Sequence, residues 1–131
     1  MVTEPRDDRA PLVVAIDGPS GSGKSSTARG VARRLGLEFL DTGAMYRAVT
    51  WLVLDRGVDR TNAAAVATLC SDAELQVTTD PEQPSIALNG IDVTTAIRTP
   101  EVSAAVSSVA TNLEVRADLV GRQRAIIADS G

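Results

Sequence analysis

The hydrophobic pattern begins at Leu12-Val13-Val14-Ala15-Ile16, an unbroken apolar run of the length expected for a strand buried on both faces. Ala28, Val31, Ala32 and Leu35 then recur at helical spacing until Gly36 ends the pattern. Leu37-Glu38-Phe39-Leu40 predicts a second short strand. Strand, helix and parallel strand make the βαβ unit of an open α/β sheet, whose ligands sit beyond the carboxyl ends of its strands. Met45, Val49, Leu52 and Val53 predict the buried stripe of the next helix, with Thr42 as its cap and Gly57 at its end.

From Thr61 the period changes. Ala63, Val66, Ala67 and Cys70 predict a short helix, and Leu75 and Val77 alternate with polar neighbours over Glu74 to Thr79, as in a strand with one wet face. Ile86 and Leu88 repeat that alternation, Asn89-Gly90 is a two-residue hairpin signal, and Ile91 and Val93 open a third strand. These lines predict a small antiparallel sheet inserted into the α/β frame. Beyond it, Thr99 as cap and Pro100 in the first turn start a helix that buries Val102, Ala105, Val106 and Val109, leaving Ser103 and Ser107 on another face. A last helix from about Leu113 carries Val115, Leu119 and Ile126 on one side and Arg116 and Arg124 elsewhere, with Arg122 and Arg124 read as solvated surface residues.

Between the first strand and first helix lies Gly18-Pro19-Ser20-Gly21-Ser22-Gly23-Lys24-Ser25, a complete G-x-x-x-x-G-K-[ST] phosphate loop, followed by Ser26. Its glycines allow positive φ and leave no Cβ in the way, so consecutive amides can converge on phosphate oxygens. The opening helix adds unpaired NH groups and its dipole. In this arrangement Lys24 would reach the β and γ phosphates of a nucleoside triphosphate, and the Ser25 hydroxyl would ligate the Mg2+ that bridges them. Lys24 is the only lysine among 13 basic residues. A slender point charge, rather than a planar fork, is what this position needs.

Composition narrows the remaining classes. A chain of 131 residues forms one domain at most, with residues 1–10 read as a polar, disordered arm and 11–131 as the folded part. A net charge of −4 argues against nucleic acid as the main partner. One cysteine and no histidine exclude an intramolecular disulfide and a His/Cys metal site. Cys70 is expected to pack as a small apolar residue. With no apolar leader and no run of membrane-spanning length, the cytoplasm is the expected location.

Three blocks then become specific: Ile16 to Ser25, Asp41-Thr42-Gly43-Ala44-Met45-Tyr46-Arg47, and Ile97-Arg98-Thr99-Pro100-Glu101-Val102. Together they resemble the amino-terminal half of the bacterial cytidylate kinases, over about Leu12 to Ile127. The resemblance implies a P-loop nucleoside monophosphate kinase fold: an open parallel sheet with helices on both faces, a three-stranded antiparallel insert, and a monophosphate-binding region over 58–110. It implies transfer of the ATP γ-phosphoryl group to CMP or dCMP, and a monomer for the full-length enzyme. It places Thr42, Tyr46, Arg47 and Arg98 at the acceptor phosphate, and Ser107 and Arg116 at the cytosine edge. Independently of the resemblance, an Arg beside an aromatic at the sheet rim suits a phosphate and a base or sugar.

The family pattern continues past Gly131 with further core strands and an arginine-bearing lid. The expectation is therefore a core incomplete at its C-terminus, and weak or absent turnover by this chain alone. An arginine of the lid type contributes 10³ to 10⁵ in rate. A GTPase is disfavoured, because its guanine-reading N-K-x-D motif needs a second lysine. Another small-metabolite P-loop kinase, or an inactive nucleotide-binding module, remain the alternatives.

Overall fold

The computed structural model describes residues 24–36 and 40–130. The first strand, most of the second and all of Gly18 to Gly23 lie outside the described residues. Within them the element order is α1 (Lys24–Leu35), α2 (Thr42–Asp55), α3 (Ala63–Asp72), β1 (Leu75–Val77), β2 (Ile86–Leu88), β3 (Ile91–Asp92), a 3₁₀ turn (Ala96–Arg98), α4 (Pro100–Ala110) and α5 (Leu113–Ser130).

Helix α2 is the column on which the other elements pack. Met45, Val49, Leu52 and Val53 are buried as their spacing predicts, and Ala44, Ala48 and Thr50 join them. Small side chains at 44 and 48 let neighbouring elements approach on more than one side, so α3, α4, α5, β2 and the 3₁₀ turn all meet this helix. Thr50 is the one buried polar residue among the described residues, and its Oγ1 donates to Tyr46 O at 2.8 Å. That back-bond removes the cost of burying an unpaired hydroxyl.

The predicted antiparallel sheet is present, in the order β1-β2-β3. Leu75 faces Leu88 and Val77 faces Ile86; Leu88 also faces Ile91. Ile86 and Leu88 are almost wholly buried, while Gln76 between Leu75 and Val77 is exposed, so alternation sets which face meets the core. Asn89 (φ 50) and Gly90 (φ 83) both take positive φ, as a two-residue hairpin turn requires. Asn89 does more: its Oδ1 accepts from Glu74 N and its own N donates to Glu74 O, both at 2.8 Å, which pins β1 to the turn between β2 and β3. The third strand stops at Asp92, earlier than the pattern predicts, because Thr94 turns back onto β2. Its Oγ1 accepts from Ile86 N at 3.1 Å and its N donates to Asp92 Oδ1.

Helices α3 and α5 lie side by side in the same direction, with α5 tied to both ends of α3. At their starts, Asn112 Nδ2 donates to Ala63 O at 3.0 Å while Asn112 Oδ1 caps α5 by accepting from Glu114 N and Val115 N. At the far end, Arg122 donates from Nη1 to Ala73 O (2.8 Å) and from Nη2 to Cys70 O (2.9 Å), and its Nε pairs with Asp118 Oδ1 at 2.7 Å. Arg122 is thus no solvated surface arginine: it closes the carbonyl end of α3, where a cation complements the helix dipole. Cys70 is fully buried beside this clamp, its thiol donating to Asp118 Oδ2 at 3.6 Å. Burial, with Asp118 adding to it, pushes its pKa up to about 12.

Candidate acceptor-phosphate site

The site is built at the amino end of α2. The helix cap is Asp41, not Thr42: Asp41 holds extended backbone and its Oδ1 accepts from Ala44 N at 3.1 Å, whereas Thr42 is already the first helical residue and is exposed. A carboxylate suits that position because it meets both the free NH groups and the positive end of the dipole. The second oxygen, Oδ2, accepts from Arg98 Nη2 at 3.1 Å. Asp41 thereby links α2 to the 3₁₀ turn that carries Arg98.

Arg47, on the first turns of α2, reaches the same region from the other side. Its Nη1 donates to Ile97 O at 3.2 Å and to Ser103 Oγ at 2.9 Å. Arg47 is therefore fixed to the carbonyl immediately before Arg98, and both guanidinium groups are drawn to one end of one helix. Arg98 has the Asp41 carboxylate as its partner, whereas these two acceptors of Arg47 are neutral, so the charge of Arg47 is not offset by these contacts. Guanidinium groups so placed suit an anion with several oxygens, such as a phosphate monoester.

Tyr46 is half-buried and packs partly on the core cluster, so it combines packing with a part-open position. Ser103 and Ser107 are both exposed on α4, about one turn apart on one face, about 6 Å along the axis. Since Ser103 meets Arg47, Ser107 stands one turn beyond that contact. Arg116 is exposed on the first turn of α5. Neither the Ser107 hydroxyl nor the Arg116 guanidinium has a partner among the described residues. At the start of α4, Thr99 holds the cap position with Pro100 in the first turn, but its side chain makes no cap bond.

Of the phosphate-loop residues, Lys24, Ser25 and Ser26 open α1, which begins where the motif requires, and Gly36 ends it with φ +66. Gly18, Pro19, Ser20, Gly21, Ser22 and Gly23 lie outside the described residues. Sequence reasoning assigned no task to Asp41, Ser103 or Asn112. The signals were there for two: Asp41 stands three residues before Ala44, and Ser103 shares a helical face with Ser107. Among the described residues no helix is long and apolar enough to cross a membrane.

Comparison with known proteins gives a consistent result. The cytidylate kinase family model matches residues 14–131. The chain is similar to the cytidylate kinase of Streptomyces avermitilis, at 48% identity over 115 residues covering 88% of this chain and 50% of that protein. It is similar to the cytidylate kinase of Nocardia farcinica, at 52% identity over 92% of this chain and 52% of that one. A bifunctional pantoate ligase/cytidylate kinase of Synechococcus sp. is 51% identical over 94% of this chain and 26% of its own length. The chain spans about half the length of the two single-function relatives. On the match across residues 14–131, the chain belongs to the cytidylate kinase family.

Proposed function

We propose that the protein acts as a cytidylate kinase, moving the γ-phosphoryl group of ATP to CMP or dCMP to give ADP and CDP or dCDP. The observation that carries this reading is the convergence of Arg47 and Arg98 at the amino end of α2, with Ser107 one helical turn beyond the Arg47 contact. In that reading Thr42, Tyr46, Arg47 and Arg98 hold the acceptor phosphate, and Ser107 and Arg116 read the cytosine edge. The phosphate loop, Gly18 to Ser26, cradles ATP. The fold is the open parallel sheet of P-loop monophosphate kinases over 11–131, with 58–110 as its monophosphate-binding region.

The residues present suit a magnesium nucleotide. Helix α1 begins at Lys24, so its first amides have no partner within the helix, and Ser25 brings a hydroxyl directly after the lysine. Ser25 would hold the magnesium ion, which when bound draws negative charge from the β and γ phosphates. The acceptor phosphate is largely ionised at neutral pH, so its oxygen attacks the γ phosphorus without a strong base. The bond to the leaving ADP oxygen breaks as the new one forms. Lys24 and the two arginines align the phosphates and neutralise charge.

The test is ADP formation by the whole protein with ATP and, in turn, CMP, dCMP, UMP and shikimate. Turnover with CMP or dCMP well above the others is expected. Preference for the hydroxyl acceptor would point to a small-metabolite kinase, and ATP binding with no transfer to any acceptor would mark an inactive module.

A further inference from the structure

Ser103 carries no role in the reading above, yet its placement is specific. It is exposed on α4, where a hydroxyl could stay solvated, but its Oγ accepts from Arg47 Nη1 at 2.9 Å. Ile97 O accepts from that same nitrogen at 3.2 Å. An arginine side chain has four rotatable bonds and takes many positions when free. Two acceptors on one terminal nitrogen, one from α4 and one from the 3₁₀ turn, set the plane of the guanidinium. What remains is the edge formed by Nη2 and Nε, which has no partner among the described residues. That edge is itself a fork with the spacing of two phosphate oxygens.

Resting on the proposed function, we infer that Ser103 is a positioning residue for phosphoryl acceptors: with the Ile97 carbonyl it presents the Nη2/Nε edge of Arg47 to the acceptor's phosphate. Ser103 does not touch the substrate in this arrangement. Its effect is to remove part of the ordering that Arg47 would otherwise undergo on binding, so it strengthens recognition of the phosphate and not of the nucleoside. A hydroxyl that merely fastened α4 to α2 would affect stability and leave that difference alone.

The experiment is calorimetry on the whole protein with CMP, cytidine, UMP and uridine, for the wild type, Ser103→Ala and Ser103→Thr. Alanine is a strong helix former, so α4 should stay folded, which circular dichroism checks. The expected result is about fivefold weaker CMP binding by Ser103→Ala, unchanged cytidine binding, and recovery in Ser103→Thr. Equal CMP affinity in wild type and Ser103→Ala overturns the inference, as does an equal loss for CMP and cytidine. If the wild type holds UMP as tightly as CMP, the cytosine reading fails while the UMP-to-uridine ratio still reports on Ser103. If a phosphate adds nothing to either nucleoside's affinity, the inference falls.

Discussion

Arg98 and Asp41 are joined at 3.1 Å across the beginning of α2, and the carboxylate that receives the arginine also caps the helix through Ala44 N. The two bonds differ in worth. The arginine side chain is 52% exposed, so the ion pair is screened, whereas the cap satisfies an amide that has no partner within the helix.

Substituting Asp41 should separate these terms. Asp41→Ala is expected to lower stability by about 1 kcal/mol, and Asp41→Asn, which can still cap, by a few tenths. A double-mutant cycle with Arg98→Ala should give a coupling under about 1 kcal/mol that shrinks in salt. Urea denaturation measures all of these. Asn as costly as Ala would show that charge, not capping, dominates.

Arg122→Ala should be the more damaging change. It leaves the carbonyls of Cys70 and Ala73 without their donor and Asp118 without its partner, at a cost of about 2–3 kcal/mol. Arg122→Lys keeps the charge but cannot span three partners, so an intermediate loss is expected in thermal unfolding.

Alkaline pH should weaken the fold through Cys70. Its thiol ionises at about 12 in the folded chain against 9.0 for the free group, so above pH 9 the unfolded chain releases a proton that the folded chain keeps. The contribution is complete below pH 9 and is lost as pH rises toward 12, with a slope of about 1.4 kcal/mol per pH unit. Cys70→Ala should remove that slope in unfolding measured between pH 8 and 10.5. For the same reason the thiol should react with maleimide only as fast as the chain opens.

If the proposed function holds, Lys24→Ala should weaken ATP binding at least ~30-fold, through loss of a charge-assisted bond to phosphate, while leaving the helical circular dichroism unchanged. Unchanged ATP affinity would remove the phosphate-loop assignment.

Local signals carried much of the described fold. The helical stripe of α2, the Asn89-Gly90 turn and the strand alternation depend on neighbours in sequence, and all three are found. The choice of Asp41 over Thr42 as cap is a contest between adjacent residues with similar preferences, and position within one residue decides it. Arg122 was illegible for another reason. An arginine on a helix reads as solvated until the partner helix is known, and its acceptors are backbone carbonyls, which carry no mark in the sequence. Arg47 and Arg98 stand in the sequence as candidates for a phosphate, Arg98 through the resemblance alone, but their fastening to Ser103 and Asp41 spans more than fifty positions.

Asn112 fastens the starts of α3 and α5, and Arg122, midway along α5, fastens the end of α3, and that pairing bears on motion. With both ends of α3 secured to the first half of α5, the two cannot slide past each other there without opening these bonds together. Any relative movement of these elements would carry α3 and the first half of α5 as a single lever, Arg116 included, and the bending would fall to the short connections on either side.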